Sequence, residues 1–555
     1  MNQRAPTEQL NDAEFDVAVI GGGINGVAIA RECARGGKRT LLLESHDFAA
    51  GTSSRSTRII HGGLRYLEHG ELGLVRESLR ERQHLLSLHR HLVRPLSFLL
   101  ALPAGGTWTR SALAVRFGLW LYRRMAGSLG AAKAHDHLKM FERQLDSDAN
   151  WMTFDYDDAQ CEFPERLIAE WLVQAITAGA VARNHAEVLE IVVHHGRAHG
   201  IVFRDRLTGR EVSIRARHVV NATGPWVDRM CGRLSVSNRA SRMIGGVRGT
   251  HLVLSRFDGL TNVAIYAEAE DGRPVFVLPW YGDLLVGTTE VPDNEDPGQV
   301  APTTKEISYL LRSAQRLFPA ARIDASMVRH AFAGVRPLPF LPGKSVSAIT
   351  RRHILHDHSE DGVAGLISII GGKLTTAAAL ARQYARKIGI RVDEPMLPLV
   401  APCGMNGMDV TLRHWSQAVS ANTGITPESA SAIAEWYGPR AFDISLMARM
   451  APELRTPICP HTPHVVAEVV DAVRNECAVT LGDILLRRVP VALPSHWNNI
   501  CTRHALQAIA PVLGWPHRRA QREAENFETE RARFLRRIDA SARPEDRLLP
   551  AKHAA

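Results

Sequence analysis

Residues Asp16 to Tyr66 constrain the fold most, because an apolar strand, a glycine turn, a helix, a second apolar strand and an acid follow in unbroken order. Val17, Val19 and Ile20 form a short apolar run, as expected of a strand buried in a parallel sheet. The run enters Gly21-Gly22-Gly23. Gly21 permits a tight turn, Gly23 lets the backbone approach a pyrophosphate, and Gly26 lets the next helix, Val27 to Ala34, pack close to the sheet. The pyrophosphate would rest on the helix N-terminus. Gly36-Gly37 ends the helix, Thr40 to Leu43 forms a second strand, and Glu44 closes it about twenty residues past the glycines, where a carboxylate accepts the adenosine ribose hydroxyls. A carboxylate there repels a ribose 2′-phosphate, which disfavours NADP, but FAD and NAD share this fingerprint.

Downstream, AAGTSSRSTRIIHGGLRY is polar, glycine-bearing and too irregular for a helix, and reads as a loop laid along a ligand. Thr52, Ser53 and Ser54 offer hydroxyls and N–H groups to phosphate or ribityl oxygens, and Gly62-Gly63 lets the backbone pass under a flat ring. A serine-rich surface turn is the plain alternative.

TSSRSTRIIHGGLRYLEHGELGLVRESLRER resembles the flavin-contacting segment of the FAD-dependent (aerobic, respiratory) glycerol-3-phosphate dehydrogenases. The likeness continues in order through NATGPW (Asn221 to Trp226), RGTH (Arg248 to His251), VFVLPW and GTTE (between Val275 and Glu290), GVRPL (Gly334 to Leu338) and GGKLTT (Gly371 to Thr376). It is strong from about residue 15 to 385 and looser through a helical tail to about 540. It implies FAD as cofactor and oxidation of sn-glycerol 3-phosphate to dihydroxyacetone phosphate, with electrons passed to quinone at the inner face of the plasma membrane. It also implies a cofactor contact set: Gly21, Gly23, Gly26, Glu44, Thr52, Ser53, Ser54, Arg58, His61, Gly62, Gly63, Leu64, Gly224, Gly372, Lys373, Leu374 and Thr375.

Oxidising a secondary alcohol needs a base, a hydride acceptor, and cations for an anionic substrate and for charge gathering on the cofactor. Arg65 and Arg336 are planar forks for phosphate, and Tyr66 can donate to the same group. Lys373 follows Gly371-Gly372 ahead of a helix expected over Leu374 to Ile388, so its charge and that helix N-terminus would meet the flavin N1/O2 edge. The resemblance makes His251 the base, with His61 as rival. His251, Arg336 and Lys373 are thus the expected catalytic residues. Arg65, Tyr66, Arg336 and Lys373 are the expected substrate contacts. Two departures bear on substrate shape: Glu290 stands where the family usually has Asp, and Pro339-Phe340-Leu341 puts bulk beside Arg336. Another small anionic hydroxy acid or amine is therefore the alternative substrate. A covalent-flavin Cys or His near the loop would favour an oxidase of that kind, and no cysteine lies between Cys33 and Cys161.

A chain of 555 residues exceeds a single core. The fold class expected is α/β: a two-dinucleotide-binding-type FAD domain (Rossmann-like, of the glutathione-reductase and D-amino-acid-oxidase kind), an antiparallel-sheet substrate domain and a C-terminal helical cap. The expected boundaries are 15–90, 150–235 and 340–390 for the discontinuous FAD domain, 91–149 for a helical membrane-proximal insertion, 236–339 for the substrate sheet, and 400–545 for the helical domain. In the tail, Phe527, Phe534, Leu535 and Ile538 recur at helical spacing.

The net charge of +9 requires an anionic partner or substrate. No helix-turn-helix, finger or aromatic-interleaved basic strip is present, so nucleic acid is not expected. Leu92 to Gly127 mixes apolar side chains, Trp108, Trp120 and Tyr122 with Arg110, Arg116, Arg123 and Arg124, which suits a helix in the interface of an acidic bilayer or, alternatively, a buried helix pair capped by arginines. No transmembrane run and no signal peptide are read, so the expected location is cytoplasmic and peripheral to the membrane. Seven cysteines without a CxxC argue against a zinc site or iron–sulfur cluster, and no metal is expected. Oligomeric state stays open, a homodimer included.

Overall fold

A computed structural model describes residues 4–68, 70–103, 111–126, 145, 151–234, 242–258, 262–346, 349–391 and 405–537. Trp108, Arg110 and Ile538, singled out above, and Cys403, one of the seven cysteines, lie outside the described residues.

The first sheet is built on β1 (Glu14–Ile20), whose Val17, Ala18 and Val19 are fully buried. β1 pairs in parallel with β2 (Thr40–Leu43) on one side and β9 (Glu211–Asn221) on the other. β6 (Val181–Arg183) extends the β2 side and β17 (Leu366–Ile370) the β9 side, both in parallel. β16 (Ile354–Asp357) forms an antiparallel edge, and the hairpin β7 (Ala186–His194) and β8 (Arg197–Asp205) joins β9. The chain leaves β1 for β2 on one side and fills the other side only later with β9, so the carboxyl end of β1 opens onto a crevice between β2 and β9, where ligands of doubly wound sheets bind. Helix α1 (Ile24–Arg35), with α4 (Pro164–Thr177) and α6 (Ala377–Lys387), covers one face, burying Val27, Cys33, Leu172, Leu380 and Tyr384 together. α6 starts at Ala377, so the helix expected from Leu374 is three residues shorter at its N-terminus.

The second sheet holds β3 (Ile59–Ile60), β4 (Val93–Pro103), β5 (Trp151–Cys161), β10 (Ile244–Ser255), β11 (Ala264–Glu268), β12 (Pro274–Trp280), β13 (Asp283–Gly287), β14 (Val291–Pro292) and β15 (Val328–Pro339). Its pairs are antiparallel except β4 with β11. α5 (Thr304–Leu317) packs on the face carrying Leu252, Leu254 and Val286.

The expectation of a helical insertion over 91–149 is corrected here: Val93–Pro103 is a strand paired along its whole length with Trp151–Cys161. LSFLLALP is a short continuous apolar run, which periodicity alone cannot assign to helix or buried strand. β5 likewise belongs to this second sheet and not, as its place in 150–235 implied, to the cofactor sheet. The helix over this stretch is confined to α3 (Ala112–Ala126). α3 buries Leu119 and Tyr122 while exposing Leu113, Phe117 and Trp120. α2 (Leu72–Leu88) lies between it and α6.

The tail is helical: α7 (Met405–Thr423), α8 (Pro427–Tyr437), α9 (Ala441–Met450), α10 (Val466–Asn475), α11 (Asn499–Val512) and α12 (His517–Phe534). Val466, Val469, Ile484, Trp497, Phe527, Phe534 and Leu535 share its core.

Candidate active site

The nucleotide end is built from backbone proximity. Gly21 has φ +106°, and a Cβ there would stand 2.6 Å from the Ala222 carbonyl oxygen. At Gly26 a Cβ would stand 1.8 Å from the Gly21 oxygen, so only glycine lets α1 approach the β1 turn. The N-cap of α1 is Gly23, which has no side chain to satisfy first-turn amides; Ser53 Oγ accepts from Ile24 N at 3.0 Å. Glu44 accepts from Gly22 N at 2.7 Å and from His46 N at 2.9 Å, which fixes its carboxylate beside the turn. These features fit the adenine-nucleotide half of FAD: a helix end whose N-cap residue has no side chain, for pyrophosphate, and a half-buried acid for ribose.

Residues 52–66 then cross from the first sheet to the second. Thr52 Oγ1 donates to the Val335 carbonyl at 2.8 Å, and Arg55 lies over Gly334 and Ala333 of β15. Ser54 is spent internally, donating to the Ala49 carbonyl at 2.7 Å. Arg58 departs from its expected role. Its guanidinium is buried, bonds Glu165 through two nitrogens at 3.0 Å each, donates to the Glu162 carbonyl at 2.6 Å and lies 4.8 Å from the Trp280 ring centroid. Its guanidinium ties the loop to α4 and the second sheet. His61 donates its backbone N–H to Thr375 Oγ1 at 3.2 Å, which joins the loop to the Gly371–Thr376 turn. Burial, with Lys373 and Arg82 nearby, lowers the His61 imidazole to about 3. Gly62 N donates to Tyr122 Oη at 2.9 Å, and Tyr122 in turn donates to Asp158, which also pairs with Arg82. Leu64 packs against the second-sheet core and Leu374 against the α1–α6 core. Asn25 Nδ2 donates to the Gly371 carbonyl at 3.2 Å and lies against Gly372. Gly224 follows Thr223, whose N–H and hydroxyl donate to Asn221 Oδ1 at the end of β9.

Strand alternation sets the roof. Register pairs Val247 with Arg336, Gly249 with Gly334 and His251 with Phe332, so these residues share the face opposite α5. Gly249 keeps that face clear: a Cβ there would meet the Arg336 guanidinium at 2.7 Å. Arg336 donates to Thr288 Oγ1 at 2.9 Å and to the Thr289 carbonyl at 3.2 Å. Thr289 and Thr250 are both held by Glu306 Oε1, at 2.7 and 2.9 Å, from the capping box that starts α5.

Four cations gather around Tyr66. The Lys373 ammonium lies 4.2 Å from its ring centroid and donates to Ser78 Oγ at 3.0 Å. Glu290 takes Arg351 at 2.7 Å on one oxygen and Arg65 at 3.9 Å on the other. Burial outweighs the help of Glu290 and, with Arg351 nearby, lowers Arg336 to about 10. Burial likewise lowers Lys373 to about 7 and raises Tyr66 to about 12. Arg351 was not among the expected site residues, and its Nη1 is buried without a protein partner. It lies in the loop before β16 with no glycine marker; only the doubled basic pair in TRRH signals it. Glu306 and Thr57 were also missed. The expected bulk beside Arg336 is corrected: the Phe340 ring lies 4.3 Å from the Arg242 guanidinium and is engaged there.

His251 is fully buried, stacked 5.0 Å from Phe332 and standing over Gly287. Its Nε2 contacts Thr57 Oγ1 at 2.9 Å. Burial first, then Arg336 and Arg58, hold the imidazole well below its usual pKa, so it is neutral at pH 7.

Comparison with known proteins agrees with this geometry. Residues 16–386 match the family FAD dependent oxidoreductase, and residues 367–520 match the C-terminal domain of alpha-glycerophosphate oxidase. The glycerol-3-phosphate dehydrogenase of Synechocystis sp. is 36% identical, over 94% of this chain and 96% of that protein. The aerobic glycerol-3-phosphate dehydrogenase of Bacillus subtilis is 29% identical, over 92% and 94%. The solved glycerol-3-phosphate dehydrogenase of Bacillus halodurans, complexed with FAD, superposes with a TM-score of 0.73 at 25% identity, over 95% of this chain and 96% of that one. With its glycine turn, crossing loop and roof sheet arranged as described, and matched along nearly its full length, the chain belongs to the FAD dependent oxidoreductase family, takes FAD as its cofactor, and carries the C-terminal domain of alpha-glycerophosphate oxidase.

Proposed function

We propose that the protein oxidises sn-glycerol 3-phosphate to dihydroxyacetone phosphate and that its electrons pass to a quinone. The gathering of Arg65, Arg336, Arg351 and Lys373 around Tyr66 carries this reading: four cations converge there, with Glu290 pairing Arg65 and Arg351 and with Glu71 and Glu77 near Lys373, and the guanidinium forks suit a phosphate. Bound FAD supplies the hydride acceptor. Arg336 and Arg351 grip the phosphate, Arg65 and Tyr66 close around it, and Glu290 holds Arg65 and Arg351 apart until the substrate competes for them. The alcohol proton passes to Thr57 Oγ1 as the Thr57 hydroxyl proton moves to His251 Nε2, 2.9 Å away. Neutral at pH 7, His251 has a lone pair for this transfer.

The same reading places the protein on an anionic membrane surface. α3 exposes Phe117, stacked 5.7 Å from Trp120, together with Leu113, and carries Arg116, Arg123 and Arg124. Among the described residues no helix is long and apolar enough to cross a membrane.

Anaerobic addition of glycerol 3-phosphate to the purified yellow protein tests the substrate. Bleaching of the flavin band near about 450 nm is expected; a band unmoved by glycerol 3-phosphate but bleached by a hydroxy acid or amine would assign the site to that substrate. Arg336→Ala and Arg351→Ala should each lower kcat/KM by about 10²–10³-fold with FAD retained. Reoxidation by a soluble quinone, compared with oxygen, tests the acceptor. Sedimentation with vesicles containing anionic lipid, lost on Phe117→Ser with Trp120→Ser, tests the membrane.

A further inference from the structure

We propose that His356, His358 and Asp361 bind one divalent late-transition-metal ion of the zinc class at the outer edge of the first sheet. The three residues come from the end of edge strand β16 and the turn that follows, so one short hairpin supplies all three. Their ligand atoms lie within 4.8 Å of one another. Asp361 Oδ2 is the common point, 2.7 Å from His356 Nε2 and 2.9 Å from His358 Nδ1. The imidazole planes cross at 86° with centroids 4.6 Å apart, so their nitrogens approach that point from different directions. A tetrahedral zinc site with bonds of about 2.0–2.2 Å separates its ligands by about 3.4 Å, a spacing reached here by small side-chain rotations.

The surroundings are those of a metal ligand set. The second nitrogen of His358 lies 2.8 Å from Ser368 Oγ, which fixes ring orientation as an outer-shell partner does. The Cys231 thiol lies 3.9 Å from that same second nitrogen and so stands outside the ligand set. His358 is buried, whereas the His356 and Asp361 side chains are each 29% exposed, leaving an entry path and a fourth position for water. Two imidazoles and one carboxylate favour zinc, nickel or copper over magnesium and calcium, which call for oxygen ligands. The site is also wired inward: Ser368 Oγ accepts from Asn221 Nδ2 at 3.3 Å, and Asn221 holds Thr223 at the cofactor turn. Without an ion, the same three residues form a hydrogen-bonded clamp of two imidazoles on one carboxylate, and only binding distinguishes the two.

Equilibrium dialysis of the chelator-stripped, FAD-loaded, full-length protein against Zn²⁺ is the test. One zinc per chain is expected, with affinity lowered at least about tenfold in His356→Ala and in Asp361→Asn, and with no competition from Mg²⁺. Asp361→Asn is nearly isosteric, so it reports on ligation if the alanine variant folds poorly. Zinc should also raise the melting temperature of the wild type and of neither variant. Absence of stoichiometric zinc, or equal zinc in wild type and both variants, overturns the proposal.

Discussion

Lys373 answers two demands that oppose each other: its charge is wanted for an anion, and its burial removes that charge. With its pKa down at about 7 against about 10.5 in an open chain, it loses its proton near neutrality in the free enzyme. The unfolded chain therefore binds more protons between about pH 7 and 10.5, and this lysine makes stability rise with pH across that window. Anion capture runs the other way: kcat/KM for a phosphorylated substrate should fall by roughly fifty-fold from pH 7 to 9 as the ammonium deprotonates. Arg336, at about 10, stays charged over that range. Lys373→Arg should flatten the limb; a limb unchanged in that variant would remove Lys373 from substrate binding. His251→Asn and Thr57→Val should both lower kcat by about 10²–10⁴-fold with FAD retained, and full activity in Thr57→Val would break the proton path through its hydroxyl. Arg58 and Arg351 show how far single residues can be read from sequence. Both are loop arginines, Arg58 inside a motif and Arg351 outside any, yet Arg58 is spent on Glu165 while Arg351 joins the site. Nothing local separates them, since each fate is set by a partner more than sixty residues away, Glu165 or Glu290.

At the scale of elements, what periodicity and glycine placement encode was readable. β1, its turn, α1, β2 and Glu44 follow the order the sequence dictates, because each is satisfied by near neighbours. β4 was not readable, because an eleven-residue apolar strand between distant partners carries no pattern distinguishing it from a buried helix. Gly26→Ala tests the tightest junction: with a Cβ held 1.8 Å from the Gly21 oxygen, α1 must lift from the turn. The variant should fold, since the conflict is local, but should emerge without bound flavin; a normal flavin spectrum would show that the helix end does not hold the pyrophosphate. On the membrane reading proposed above, α3 joins two tasks in one helix. Its buried Tyr122 supports Gly62 of the crossing loop while Phe117 and Trp120 face outward, so substitutions on its two faces should separate kcat from vesicle binding.

Across the whole molecule, the helical tail is fastened to the cofactor sheet by buried ion pairs. Asp47, three residues past Glu44, takes Arg488 at 2.7 and 2.9 Å, pairs with Arg487 and receives Asn184 Nδ2 at 2.8 Å. Glu476 joins Arg166 of α4 at 2.8 Å and Arg440 of the tail at 2.9 Å. Burial pushes the Glu476 carboxyl up, but the two arginines outweigh it and leave it down at about 2. A depressed carboxyl contributes stability that is whole above its open-chain value near 4.5 and is lost as pH falls towards 2. Glu476→Gln should therefore flatten acid destabilisation between pH 4.5 and 2, as read from melting temperatures. Asp47→Asn leaves two buried arginines short of charge and should cost about 3–5 kcal/mol, with flavin release and tail cleavage by protease occurring together; separate transitions would show that the two regions are not fastened through Asp47. A further consequence concerns the life of the protein in a cell. Because Asp47 lies three residues past Glu44 and the tail is locked onto it, flavin that stabilises the sheet should also shield the helical tail from degradation. Supply of the vitamin precursor would then set how long each copy survives as well as how many copies are active.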